Sequence, residues 1–345
     1  MPTISDVARL AGVSPMTVSN VLNGRATVTA ANRRKVEEAI KATGYVRNAS
    51  ARALKSGRSQ VVGLAVLEAV SPFYGELTAG VEGILEDEGI TVFIASTHNS
   101  AEREDATLRR FAELRSLGVI LASTRFTPAL HANIARTRAS GLAVVAIANA
   151  QDELDACTVG GHDTRGGALV AEHLSALGRD RFAYVGGPGE AAVYQHRKSG
   201  YVDGLRAAGH EVRPEHILDC AQDTIARGIE AGQRLLDSPI PPSAVFCAND
   251  LLALGVLQAA TTRGVRVPDD LAVVGYDDIP FAAGAAVPLT SVRQPIREMG
   301  EAAATLLLAE IKAGADHEHD HQVLEPTIVV RTSTVGARTS ANHYR

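Results

Sequence analysis

The stretch Thr3-Ile4-Ser5-Asp6-Val7-Ala8-Arg9-Leu10-Ala11-Gly12-Val13-Ser14-Pro15-Met16-Thr17-Val18-Ser19-Asn20-Val21-Leu22-Asn23 reads as two short helices joined by a tight turn. Thr3 followed by Asp6 is a capping-box-like start. Val7, Leu10 and Ala11 fall at i, i+3 and i+4 and give the first helix an apolar stripe. Gly12 suits the positive φ of a helix end. Ser14 is placed to cap the next helix, with Pro15 at its first position, where a missing N–H costs nothing. Val18, Val21 and Leu22 repeat the stripe, so Pro15, Met16, Thr17, Ser19, Asn20 and Asn23 are expected to face away from the small core. A second helix with such a polar face suits entry into a DNA major groove. Taken alone, the turn also fits an ordinary helical hairpin.

A third helix follows, capped by Thr29, with Val36, Ala39 and Ile40 on its inner face and Gly44 at its end. Residues 48–59 are good helix formers with little apolar face. They read either as a solvated linker or as a hinge helix that forms only on DNA. Charge divides the chain in the same place. Residues 1–60 hold 10 Lys and Arg against 3 Asp and Glu, a net of +7, while the whole chain carries −5, leaving −12 on residues 61–345. A basic head on an acidic body is the electrostatic footprint of nucleic-acid binding confined to the head.

The opening residues resemble the lactose-repressor/galactose-repressor (LacI) family of bacterial transcription regulators. The resemblance is carried by Ile4-Ser5-Asp6-Val7-Ala8, Ala11-Gly12-Val13-Ser14, Thr17-Val18-Ser19 and Val21-Leu22-Asn23, then by Thr29, Arg33, Val36, Ala39, Gly44-Tyr45, Asn48 and Ala53-Leu54. It continues through the body. It implies that Pro15, Met16 and Asn20 occupy the positions that read base edges. Asn20 suits a bidentate pair with adenine and Met16 a thymine methyl, while Pro15 offers no donor. Ser14, Thr17, Ser19, Asn23 and Thr29 are assigned to phosphates, which fix register rather than sequence. Leu54 matches the hinge leucine wedged into the minor groove, where an apolar side chain kinks the duplex. A head this small makes few base contacts, so a homodimer on two-fold symmetric operator DNA is expected.

The body alternates near-continuous apolar runs with helical stretches. The runs are 61–67, 90–94, 119–121, 143–147, 182–185, 244–246 and 271–274. This is the texture of parallel sheets covered on both faces, and the length asks for two lobes. The expected architecture is an N-terminal all-α helix-turn-helix head (1–47), a hinge helix and linker (48–60), and a two-lobe α/β sensor resembling periplasmic binding proteins (61–332), with a tail at 333–345. The resemblance assigns 61–162 and 293–322 to the DNA-proximal lobe, and 163–292 and 323–332 to the distal lobe.

Ligands of open α/β sheets sit at the carboxyl ends of strands. Phe73, Tyr74, Arg197, Asn249, Asp277 and Gln294 follow such ends and are the candidate effector-binding residues. The resemblance puts Arg197, Asn249, Asp277 and Gln294 at family pocket positions. Arg and Asp suit a polyol, sugar or nucleobase, and the breadth of the family the chain resembles implies a sugar or sugar derivative as the effector, with nucleosides behind it. Asp163, Asp250 and Asp278 read as caps or supporting groups. The family's aromatic before the helix near residue 228 has no counterpart in 218–224, which implies a more polar or smaller pocket.

Other signals exclude more than they assign. Gly186-Gly187-Pro188-Gly189 lacks the phosphate-loop pattern. The run His317-Glu318-His319-Asp320-His321 is read as a solvated loop rather than a metal site. Three scattered cysteines fit a reducing cytosol with no disulfide plan. Met1 leads straight into the first helix, so no signal peptide is expected, and no apolar run reaches membrane-spanning length. The tail carries no leucine heptads that would build a tetramer. No nucleophile–base pair, cofactor motif or separated carboxylate pair suggests an enzyme. A ligand-controlled DNA-binding repressor in the cytoplasm is the leading reading, and a small-molecule binding protein without a DNA role is the alternative.

Overall fold

The structure, a computed structural model, describes residues 2–46, 59–125, 127–147 and 154–336. The chain divides into two compact units, Met1–Ser59 and Gln60–Arg345. Leu54 and most of the expected hinge helix lie outside the described residues.

The first unit holds helices α1 (Ile4–Ala11), α2 (Pro15–Leu22) and α3 (Ala30–Thr43). Each N-terminus is closed by a hydroxyl: Thr3, Ser14 and Thr29 accept hydrogen bonds from the backbone N–H groups of Asp6, Thr17 and Asn32. Asp6 answers Thr3 reciprocally, so the capping box is complete. Gly12 takes φ 65°, the left-handed conformation that ends α1 and sets the turn into α2. The core is Val7, Ala8, Ala11, Val18, Val21, Val36 and Ala39, with Leu22, Ile40 and Tyr45 packed at its margin. Leu10 departs from the expected stripe and is 59% exposed. Ala8, adjacent to Val7, turns inward in its place.

The second unit contains two six-stranded sheets. The first half runs β1 (Val61–Val66), α4 (Pro72–Asp87), β2 (Thr91–Ser96), α5 (Ala101–Glu113), β3 (Gly118–Ala122), α6 (Pro128–Ala139), β4 (Ala143–Ile147) and β5 (Cys157–Gly161). The second runs α7 (Asp163–Ala176), β6 (Phe182–Gly186), α8 (Ala192–Ala207), β7 (Val212–Asp219), α9 (Ile225–Leu236), β8 (Ala244–Cys247), α10 (Asp250–Thr262), β9 (Ala272–Asp277), α11 (Pro280–Gly284) and β10 (Thr290–Arg293). Then come α12 (Ile296–Ala313), a 3-10 turn at Gly314–Asp316, β11 (His321–Leu324), β12 (Thr327–Val329) and α13 (Thr332–Val335).

Strand order is β11-β5-β4-β3-β1-β2 in one sheet and β12-β10-β9-β8-β6-β7 in the other. Every pairing is parallel except β10–β12. The central strands are Val-, Ile- and Ala-rich because helices cover both faces, leaving no solvated side. The chain passes between the sheets after Gly161, after Arg293 and after Leu324.

Two boundaries differ from the sequence reading. The first sheet keeps the chain through Leu324, two residues past the expected change at 322/323, because β11 pairs in register as far as Gly161. The expected tail is folded to Gly336, and 337–345 lie outside the described residues. Ser333 is fully buried, accepting a hydrogen bond from the Thr290 N–H (2.8 Å) and donating one to the Val273 carbonyl (2.6 Å). A small hydroxyl there satisfies two backbone groups that the sheet leaves open. The loop expected to be solvated is also different, with His317 and His319 half-buried against Cys157.

Glycines allow α7 and α8 to meet backbone to backbone. A Cβ at Gly200 would fall on the Thr164 carbonyl, and one at Gly167 on the Arg197 carbonyl. Gly200→Val is therefore expected to destabilise the body by about 2 kcal/mol or more, since backbone cannot yield as a side-chain end can. Urea unfolding at constant pH checks this; an unchanged midpoint would show that the helices separate freely.

Candidate functional site

Between the carboxyl ends of the two sheets lies a cavity of about 780 Å³. Its position follows from the strand orders: in each sheet the order reverses beside the first strand of the half, β1 or β6, and loops part there. All six candidate effector residues, Phe73, Tyr74, Arg197, Asn249, Asp277 and Gln294, line this one cavity.

Phe73 and Tyr74 belong to the first turn of α4, which Pro72 starts. Their rings meet edge to face with centroids 5.0 Å apart. Both are half-buried, leaving apolar surface toward the cavity.

Arg197, on α8, is the hub of the opposite wall. Its Nε donates to Asp163 Oδ1 at 2.8 Å and a terminal nitrogen donates to the Ala248 carbonyl at 2.6 Å. The same nitrogen lies 3.6 Å from Asp277 Oδ1, and the guanidinium sits 3.8 Å from the centre of the Tyr276 ring. Burial works against its charge, but the carboxylates of Asp163 and Asp277 prevail and hold its pKa well above the usual value. Asp163 thus supports the arginine from beneath.

Asp277 ends β9 with φ 101°, a conformation that L side chains rarely adopt. This turn aims its carboxylate back at Arg197 and at Gln294, whose Nε2 donates to Oδ1 at 2.8 Å. Burial pushes the Asp277 pKa up to about 7, against the opposing pull of Arg197 and Gln294. The adjacent Asp278 turns away into ion pairs with Arg293 and Arg331, both at 2.6 Å. Asp250 accepts from Ser291 Oγ and the Ile279 N–H, so both remain supporting groups.

Asn249 is more committed than the sequence suggests. Its Oδ1 caps α10 by accepting from the Leu252 N–H (2.8 Å), and its Nδ2 donates to Asp223. Asp223 is the residue that sequence reading missed. It sits in the segment lacking the expected aromatic, and it also accepts from the Tyr194 hydroxyl at 2.6 Å. Its position just beyond the carboxyl end of β7 was the available signal. Across the cavity mouth, Arg125 after β3 pairs with Glu190 after β6 at 3.1 Å, and the Ala192 N–H donates to the Thr124 carbonyl at 3.2 Å. These residues were also missed.

In the first unit, the proposed base-reading residues lie on the outside of α2. Met16 is 68% exposed, Pro15 is exposed and Asn20 half-exposed. Ser14, Asn23 and Thr29 are exposed, while Thr17 and Ser19 are half-buried beside them. Ser14 and Thr29 use their hydroxyls as helix caps, and Asn23 Nδ2 reaches Ser19 Oγ at 3.4 Å. Among the described residues, no helix is long and apolar enough to cross a membrane.

The sequence matches the profile of bacterial regulatory proteins of the lacI family over residues 3–48, and that of a periplasmic binding protein-like domain over 171–334. It is 31% identical over 337 residues to the HTH-type transcriptional repressor PurR of Aliivibrio salmonicida (strain LFI1238), spanning 96% of this chain and 99% of that protein. Among solved structures, a complex of the transcriptional regulator CelR with cellobiose is 32% identical with a TM-score of 0.72, covering 96% of this chain and 100% of the other. The lac repressor dimer bound to operator and the anti-inducer ONPF is 25% identical with a TM-score of 0.85, covering 97% and 99%.

Proposed function

The chain belongs to the lacI family of bacterial regulatory proteins, DNA-binding transcriptional regulators rather than enzymes, and from that premise we propose a repressor whose operator affinity is set by a sugar-class effector in the cavity between the two sheets. The observation that carries the effector class is the polar constellation around Arg197. Asp277, Asp223 and Gln294 present acceptors and donors in several directions, Asn249 braces Asp223, and Phe73 and Tyr74 offer apolar ring surface on the other wall. Hydroxyl-rich rings need both. The cellobiose complex of a regulator 32% identical to this chain favours the same class.

Met16 and Asn20 on α2 are the proposed readers of base edges, Pro15 shapes the start of that helix, and the hydroxyl and amide groups of Ser14, Thr17, Ser19, Asn23 and Thr29 serve the phosphates. The net charge of +7 on residues 1–60 supports the DNA role. Leu54 is the proposed minor-groove wedge. A homodimer is the proposed assembly. Phe93 and Ile94 on the edge strand β2 are 48% and 46% exposed, the kind of apolar edge that a soluble chain covers. The proposed compartment is the cytoplasm. Effector and operator are proposed to alter each other's affinity by about 1–3 kcal/mol.

Selection of the purified protein against a random DNA pool at fixed salt tests the first half of this reading. A two-fold symmetric site is expected, and failure to enrich any site with and without candidate effectors would return the chain to a binding protein with no DNA role. A thermal-shift panel of sugars, nucleobases and nucleosides tests the second half. Stabilisation by nucleobases alone would overturn the sugar assignment.

A further inference from the structure

The His-rich run before β11 does not stand alone. Cys157 is the first residue of β5, Glu310 lies in the last turn of α12, and His317 and His319 lie in the loop that joins α12 to β11. Parallel pairing of β11 on β5 brings these three segments to one corner of the first sheet. His317 Nε2 is 3.1 Å from Cys157 Sγ, and His319 Nδ1 is 3.7 Å from it. One donor atom from each of the four residues lies within 4.8 Å of the others. In a tetrahedral zinc site the sulfur and nitrogen ligands are about 3.5 Å apart, so these two distances straddle the separation such a site needs.

Two further observations point to a ligand. The Glu310 side chain is 8% exposed, and while Oε1 receives Arg138 Nε at 3.3 Å, Oε2 is buried with no hydrogen-bond partner. A buried carboxylate oxygen is not left bare without cause. His319, with Nδ1 toward the sulfur, holds Nε2 3.6 Å from Asp155 Oδ1. A carboxylate behind the far nitrogen of an imidazole is the usual support of a metal-bound histidine. Charge also balances: a thiolate and the Glu310 carboxylate neutralise a divalent cation, and Arg138 is paired with Asp155 at 3.0 Å.

We propose that Cys157, Glu310, His317 and His319 form a structural site for a divalent cation of the zinc class. One thiolate and two imidazoles select zinc, cobalt or copper over calcium and magnesium, which prefer all-oxygen sets. Four protein ligands leave no open position, so the site clamps rather than catalyses. It ties the end of α12 and the following loop to the start of β5, at the base of the edge strand from which the chain leaves for the second sheet. None of the four residues lines the effector cavity, so the site is separate from it.

Cobalt(II) is the probe. Full-length protein, stripped with a chelator and dialysed, is expected to bind one cobalt per chain. The complex should show a thiolate charge-transfer band and the visible bands of tetrahedral cobalt, both erased by zinc. Cys157→Ala should lose the charge-transfer band. His317→Ala should weaken binding by at least the about 10–100-fold seen for outer-shell partners, and zinc should raise the Tm of the parent chain but not of this variant. His317 is half-buried in a loop, so this variant tests the site even if Cys157→Ala fails to fold. Absence of the charge-transfer band in the parent, or its survival in Cys157→Ala through Cys220 or Cys247, would overturn the site and leave a hydrogen-bonded cysteine–histidine cluster.

Discussion

Arg197→Ala is expected to abolish the effector response while operator binding survives, and to lower the stability of the body by about 3–5 kcal/mol. The arginine is the cation between Asp163 and Asp277 and the donor to the Ala248 carbonyl. Its removal leaves two buried carboxylates facing one another and a carbonyl without that partner. Loss of response alone would not distinguish a lost contact from a collapsed pocket. Arg197→Lys separates them. It keeps the charge but cannot serve Asp163 and Ala248 together through one rigid planar fork. The lysine variant should fold with a smaller stability loss and still lose effector affinity by about 10–100-fold, the worth of a charge-assisted hydrogen bond. Titration calorimetry and urea unfolding on the two variants give both numbers. Full effector affinity in a folded Arg197→Lys would remove Arg197 from the binding role.

Effector affinity is also expected to fall about 100-fold as pH drops from 8 to 5, with Asp277 as the titrating group. Burial holds that carboxyl near 7. A hydroxyl ligand needs the ionised acceptor, so below 7 each proton bound competes with ligand, by about tenfold per pH unit. The stability of the ligand-free protein runs in the opposite sense. The native state keeps a proton that the unfolded chain gives up near the usual carboxylate pKa. Its stability therefore falls as pH rises through the window from 3.8 to about 7. Asp277→Asn removes the titration and should give weak, pH-independent binding. Calorimetry across a pH series reads this directly, and a flat profile for the parent chain would dismiss Asp277 as the acceptor.

The DNA head was legible because each of its signals is local. Thr3, Gly12, Ser14, Pro15 and Thr29 each act within one turn of their own position, and the structure uses them as caps and stops. The central strands were legible because burial on both faces makes their sequences continuously apolar. The edges were not. β7 reads Val-Arg-Pro-Glu-His-Ile-Leu-Asp, with a proline that an edge strand tolerates and a central one does not. β5 ends in two glycines, and β11 is polar and His-led, so neither advertises a strand. The six cavity residues could be nominated because strand ends mark the ligand crevice. Asp223 shared that signal, just past the end of β7, but Arg125 and Glu190 meet across the cavity only through distant strand pairing, and no local pattern announces it. The same holds for Cys157, 160 residues from His317 in sequence but beside it in the fold.

The bridge across the cavity mouth has a kinetic meaning. Glu190 is 82% exposed and Arg125 34%, so their ion pair is washed by solvent and contributes at most about 1 kcal/mol. Among the described residues, the other link over the mouth is the single backbone hydrogen bond from Ala192 to Thr124. Entry and escape of a small molecule are then expected to depend on how often these two contacts part. Residence time falls to the contacts the guest itself makes inside. A poor guest is then expected to leave at the next opening, and a good one to prolong the shut state.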